Sequence, residues 1–292
     1  MVGVLVTLGI GWGSTQSLGK IAVSTGYRPF GLIFWQLVIG VALLGAINLI
    51  RGGSFRVGAA GVRFALVIAV IGTLIPNSTF YLSLQHLPGG IMSIIIATVP
   101  LISFPIAVAL GTDRFSGLRF LGLFCGLLGV ALIALPAASL PEPGMAAWLP
   151  VAMIGPLFYA IEGNYVARFG TAGLDGVQAM FWASVVGAVI VLPLALGSGQ
   201  FIDPAVKWGR AEAAIVVGSS LHAVLYATYI WLAAKAGSVF ATQSGYIVTG
   251  SGVFWAMLLL GESFSGWVWA ALVVMLVGLT LVQPRRRSDA LR

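Results

Sequence analysis

Charge is what this chain has least of: charged residues make up 8% of its 292 residues, the hydrophobic share is 59% and the mean hydropathy is +1.05. Soluble domains carry roughly a quarter charged residues, so the composition excludes one and indicates an integral membrane protein. Cysteine occurs once, at Cys125 inside an apolar run, which excludes a disulfide framework and a cysteine-based metal site. That residue reads as a small packing side chain. No Walker-type phosphate loop, Gly-x-Ser-x-Gly elbow, His-Glu-x-x-His helix or paired-acid motif occurs. Their absence argues against direct ATP drive and against an enzyme, and neither metal nor cofactor is expected. No basic leader precedes the first apolar run, whose cation, Lys20, stands near its far end, so no cleavable signal peptide is expected. The net charge of +7 comes from basic residues scattered singly between apolar runs and clustered only at Arg285, Arg286 and Arg287. In a membrane protein that pattern reports orientation, and no nucleic-acid partner is expected.

What the chain does have is one unit written twice. The stretch 111–117, Gly-Thr-Asp-Arg-Phe-Ser-Gly, returns at 261–266 as Gly-Glu-Ser-Phe-Ser-Gly, each a short polar turn between long apolar runs. Twelve residues after Gly117 comes Gly129, twelve after Gly266 comes Gly278, and the runs stop at Pro136 and Pro284. Upstream, Tyr81 precedes Gly89 by eight residues as Tyr229 precedes Gly237. Two homologous halves follow, 1–140 and 141–292, joined near the Pro-Glu-Pro at 141–143.

A membrane helix needs roughly 20 mainly apolar residues, and ten runs qualify: 2–23, 30–50, 64–85, 89–110, 118–135, 148–167, 177–196, 213–234, 238–260 and 264–283. The expected fold class is an all-α polytopic membrane protein whose ten transmembrane helices form two five-helix repeats around a central cavity. With five spans per half the second repeat starts on the opposite side of the membrane, so the repeats are inverted. The even-numbered connections and the C-terminus carry all but four of the fifteen lysines and arginines, the exceptions being Lys20, Arg28, Lys207 and Arg210. The positive-inside rule therefore places both termini in the cytoplasm.

Polar residues at helical spacing must face inward, since an unpaired polar group facing lipid is costly. The fifth and tenth runs carry almost none and read as peripheral, with Gly122 and Gly126 allowing close packing within the subunit. Trp12 and Gln16 share a stripe of the first helix with Lys20; Asn77 and Tyr81 mark the third; Tyr159 and Glu162 the sixth; His222, Tyr226 and Tyr229 the eighth; Thr242, Gln243 and Tyr246 the ninth. These twelve, without Lys20, are the candidate lining of a substrate cavity. Pro76, Pro100, Pro105 and Pro156 fall within spans, where proline weakens a helical turn, and are hinge candidates. An intramembrane acid such as Glu162 needs a partner, water or a proton; it reads either as a group for a substrate amine or a proton, or as one that snorkels or pairs with Arg168. His222 reads as a coupling group or as a hydrogen-bonded packing residue. Lys20 is expected to snorkel to the outer interface. Asp113 and Glu262 are read as solvated acids of cytoplasmic turns, each beside the N-terminus of the following helix, and Trp267 and Trp269 as belt residues at the same side.

Ten spans in inverted repeats, the Gly-Trp-Gly-Ser at 11–14 and the Gly-Glu turn at 261–262 before the last helix together resemble the drug/metabolite transporter superfamily, in particular its EamA-type exporters, some of which export amino acids in bacteria. The first copy of the turn departs from the family in having Thr112-Asp113, and the second replaces the helix-four Pro100 with Gly250. The resemblance implies alternating access through a cavity lined by helices one to four and six to nine, with five and ten outside. The expected activity is secondary export of small amphipathic metabolites, amino acids foremost, across the inner membrane. The alternatives are export of another metabolite or drug, or an integral membrane enzyme acting on lipid-like substrates. The expected partners are a small-molecule substrate, membrane lipid and protons as coupling ion; monomer and homodimer both stay open.

Overall fold

A computed structural model describes residues 1–136, 139–236 and 244–282 of the chain. Ten helical spans are present among them. The first two are α1 (Val2–Val23) and α2 (Pro29–Ile50). The third is α3 (Ala59–Ile68), a π-helical turn (Ala69–Leu74) and α4 (Ile75–His86), and the fourth is α5 (Gly89–Ile96) followed by α6 (Val99–Ala109). The remaining six are α7 (Gly117–Ala134), α8 (Leu149–Phe169), α9 (Gly176–Gly197), α10 (Arg210–Ala236), α11 (Ser244–Leu260) and α12 (Gly266–Leu281). Spans two to eight are each long and apolar enough to cross a bilayer, and α11 and α12 are shorter apolar helices. The two glycines that open the repeated turn, Gly111 and Gly261, sit at φ +68° and +66°. That left-handed conformation is accessible to glycine at little cost, and it stops spans four and nine alike.

The packing obeys an exchange of each span with the one five places later. Span one packs on eight and nine as six packs on three and four; span two packs on eight as seven packs on three. The pairs two with seven, four with nine and five with ten map onto themselves. Lipid-facing backbone tolerates no unsatisfied groups, and small residues let neighbouring backbones approach. A Cβ on Gly13 of α1 would stand 2.8 Å from the Gly252 nitrogen of α11, and one on Gly278 of α12 would stand 2.8 Å from the Gly122 carbonyl of α7. Side chains tie the same interfaces: Ser251 Oγ donates to the Gly9 carbonyl at 3.1 Å and Trp255 Nε1 to that of Ile10 at 2.9 Å. Across the equivalent pair, Asn164 Nδ2 of α8 donates to Ser103 Oγ of α6 at 2.7 Å.

Several sequence expectations need correction. Asp113 and Glu262 do not share a side, because the fourth and ninth connections of an inverted pair of repeats emerge at opposite ends. Nor does Glu262 serve the helix that follows it. It accepts the backbone N–H groups of Gly89 at 2.7 Å and Gly90 at 3.0 Å, capping α5 of the first half, beside the Lys20 end of α1. Trp267 and Trp269, exposed at the start of α12, lie at this end too. Lys20 does not snorkel: its Nζ donates to the carbonyls of Leu84 at 2.5 Å and Leu87 at 2.9 Å, at the C-terminus of α4. The turn between spans three and four is thus held by a cation at one helix's negative end and an anion at the next helix's positive end. Asp113 instead pairs with Arg119, whose guanidinium lies over Phe104, 5.6 Å from the ring centre.

Glu262→Ala removes both acceptors from the Gly89 and Gly90 N–H groups and is expected to destabilise the folded protein by about 1 kcal/mol. A thermal melt in detergent checks this, and an unchanged midpoint contradicts the capping role.

Candidate functional site

The polar stripes converge on a cavity of about 290 Å³ between the halves. Spans one to four and six to nine all contribute to its wall, while α7 and α12 contribute none of the described lining residues. Trp12 and Gln16 enter from α1, Asn77 and Tyr81 from α4, Tyr159 and Glu162 from α8, and His222 and Tyr226 from α10. Each pair is three or four residues apart and therefore shares a helix face. Tyr229 stands behind the wall, its ring 5.6 Å from that of Trp12, in an apolar cluster with Leu5, Leu8 and Leu225. Tyr246 borders a lateral groove with Ile247, Val273 and Leu276 rather than the cavity. Thr242 and Gln243 lie outside the described residues.

One hydrogen-bonded chain crosses the cavity wall from the second half to the first. Tyr159 Oη donates to Asn77 Oδ1 at 2.7 Å, Asn77 Nδ2 donates to Gln36 Oε1 at 3.2 Å, and Tyr81 Oη donates to the same oxygen at 3.0 Å. Gln36 was missed in the sequence because it stands alone on α2, without a polar residue one turn away to make a stripe. Its signal was isolation: an amide in the middle of a long apolar run needs a partner on another helix. 

Glu162 depends on the π-helical turn. Pro76 has no N–H for the carbonyl four residues back, and a proline is a recognised cause of disruption to the helical ladder. The widened turn before it carries Gly72 into the cavity wall, and a Cβ there would lie 2.5 Å from Glu162 Oε1 and 2.9 Å from Oε2. The carboxylate rests against bare backbone. No ion pair to Glu162 exists among the described residues, and Arg168 lies instead over the Phe169 ring at 5.6 Å. On the same wall, aromatic rings form an arc: Tyr226 to His222 at 6.4 Å, and His222 to Trp12 at 6.3 Å between ring centres. The other hinge candidates divide: Pro100 follows a break between α5 and α6 at 97–98, whereas Pro105 and Pro156 lie inside continuous helices.

At the Lys20 end the halves are joined again, by Tyr27 Oη donating to Glu212, while Gln85 Nε2 donates to the Tyr27 carbonyl at 3.2 Å. The hydrogen bond to Glu212, then burial and the nearby negative charge, push the Tyr27 phenol up to about 12. It therefore stays a protonated donor throughout the neutral range. No cluster of three or more His, Cys, Asp or Glu residues suited to a metal exists among the described residues. The arrangement suits binding and passage of a small amphipathic molecule, with apolar and aromatic walls and a few fixed polar groups.

Comparison with known proteins agrees with this architecture. The EamA-like transporter family model matches residues 1–135 and again 146–283. The chain is 24% identical over 286 residues to a protein of Escherichia coli K12 named "Uncharacterized inner membrane transporter YedA", covering 97% of this chain and 90% of that one. It is 23% identical over 269 residues to "Uncharacterized transporter YdfC" of Bacillus subtilis, covering 88% and 82%. A solved crystal structure superposes with a TM-score of 0.66 at 18% identity, covering 95% of this chain and 94% of that one, and so shares the fold.

Gln36→Leu leaves the Asn77 amide and the Tyr81 hydroxyl without their acceptor. A loss of about 1–3 kcal/mol in folding stability is expected, read as a lower unfolding midpoint. Tyr81→Phe on top of Gln36→Leu should recover part of it by removing one orphaned donor.

Proposed function

The chain belongs to the EamA-like transporter family, and from that premise we propose that this membrane transporter is a secondary exporter of small amphipathic metabolites, aromatic and hydrophobic amino acids foremost. It works by alternating access through the central cavity. The two halves, 1–140 and 141–292, are the moving units, and the cavity lies between them. The observation that carries the reading is the wall itself: an aromatic arc from Trp12 and Tyr226 faces the acid Glu162 and the amides of Asn77 and Gln36, all in a space of about 290 Å³. Such a site buries an apolar body and meets a polar head. The distribution of lysine and arginine supports cytoplasmic termini, and the name of the Escherichia coli relative supports an inner-membrane location. Glu162 or His222 carries the coupling proton.

The testing experiment is counterflow of labelled amino acids into proteoliposomes, with and without a pH gradient, for the native chain, Glu162→Gln and His222→Ala. Saturable uptake of chemically unchanged solute is expected, and one variant should lose only the pH-stimulated part. Conversion of the solute would favour an enzyme. Absence of uptake for aromatic, aliphatic and hydroxyl amino acids, from folded protein, would remove the amino-acid assignment.

A further inference from the structure

The described lining of the cavity holds one carboxylate and neither a lysine nor an arginine. Lys20 is committed to the Leu84 and Leu87 carbonyls, and Arg168 to the Phe169 ring. The wall's other donors are hydroxyls, amides and the Trp12 and His222 rings, and several of them are already committed. The Tyr159 and Tyr81 hydroxyls and the Asn77 amide all donate within the Gln36 network. Glu162, by contrast, has both oxygens clear of any ion pair among the described residues, against a glycine backbone with no side chain to cover them.

We propose that the site selects its cargo by the ammonium group: it takes primary amines with an aromatic or apolar body, and it takes them better when they lack a free carboxylate. This rests on the reading of the cavity as the transport site and moves its preferred cargo from free amino acids to the corresponding amines and amides, free amino acids being the weaker ligands. The ammonium meets Glu162, and the body lies along Trp12, His222 and Tyr226; the π faces of Trp12 and Tyr226 also attract a cation. A free amino acid brings a second anion into a cavity of about 290 Å³ that already holds one. With no lysine or arginine to receive it, that carboxylate exchanges its hydration for uncharged donors such as Ser219 and Tyr226, and like charges at such range repel. An amine or an amino-acid amide has no such penalty. The apolar ends of the cavity, Ala22 and Ala214 at the Lys20 side among them, accommodate either body equally.

The test is binding to purified protein at one fixed pH, by calorimetry, of four probes of one shape: phenethylamine, phenylalaninamide, phenylalanine and 3-phenylpropionate. The amine and the amide are expected to bind roughly tenfold or more tightly than phenylalanine, the size of one charge-assisted hydrogen bond, and phenylpropionate not to bind. Glu162→Gln should bring the amine down to the level of phenylalanine, and Glu162→Asp should keep the order. Gly72→Ala, which puts a methyl group where the carboxylate rests, should weaken the amine and the amide together, and it supplies the test if Glu162→Gln does not fold. Phenylalanine binding as tightly as its amide would overturn the proposal, as would a folded Glu162→Gln that kept the amine preference. Counterflow of labelled phenethylamine separates this from the transport reading. An amine that binds with the predicted order but is not carried contradicts transport and supports the selectivity. Carriage of phenylalanine with no preference for its amide supports transport and contradicts the selectivity.

Discussion

A bilayer gives polar groups no partner, and most of this structure follows from that constraint. Main-chain groups are consumed inside helices. Side chains such as Asn77, Gln36 and Tyr159 have to find one another across helices, and they do so around a single cavity. The two spans with almost no such groups, α7 and α12, stand outside it and pack on each other through Gly122 and Gly278. The same constraint makes Glu162 informative. An acid that neither pairs nor reaches the interface must face a polar space, and here that space is the meeting place of the two halves.

At the Lys20 end the halves are joined through a helix terminus. Glu262 of the second half caps α5 of the first, and Lys20 closes the adjacent end of α4, so the turn between spans three and four is gripped from both sides. The equivalent acid of the first half, Asp113, is engaged with Arg119 of its own half. Related sequences have therefore been put to different electrostatic ends: one copy of the turn bridges the halves and the other stays at home. On the proposed alternating-access reading, that bridging contact and the network from Tyr159 to Gln36 are the contacts to be broken and remade.

The spans and their repetition were legible in the sequence because they rest on one-dimensional signals: apolar run length, the recurring Gly-polar-Gly turn, and cations gathered on alternate connections. Helical spacing also identified the inward faces, which is why Trp12, Gln16, Asn77 and Glu162 stand on one cavity. It did not give depth along the helix or the identity of the neighbour. Tyr229 shares the face of His222 and Tyr226 but sits behind Trp12, one turn past the cavity. Gln36 has no stripe to betray it, and Gly72 matters only through a π-helical turn that no periodicity encodes. The partners of Lys20 and Glu262 were hidden for a simpler reason. Both are backbone groups on other spans, and backbone groups leave no mark on the sequence.

The central claim is that Glu162 faces an aqueous cavity between the halves, and thiol accessibility tests it most directly. In a Cys125→Ala background, Glu162→Cys should react with a small, water-soluble, membrane-impermeant thiol reagent, and a bound amine should slow the reaction. Leu128→Cys, on the outer surface of α7, sets the rate for a lipid-facing position. Reaction well above that rate, with protection by ligand, is the predicted result. A folded Glu162→Cys that reacts no faster than Leu128→Cys would contradict the account.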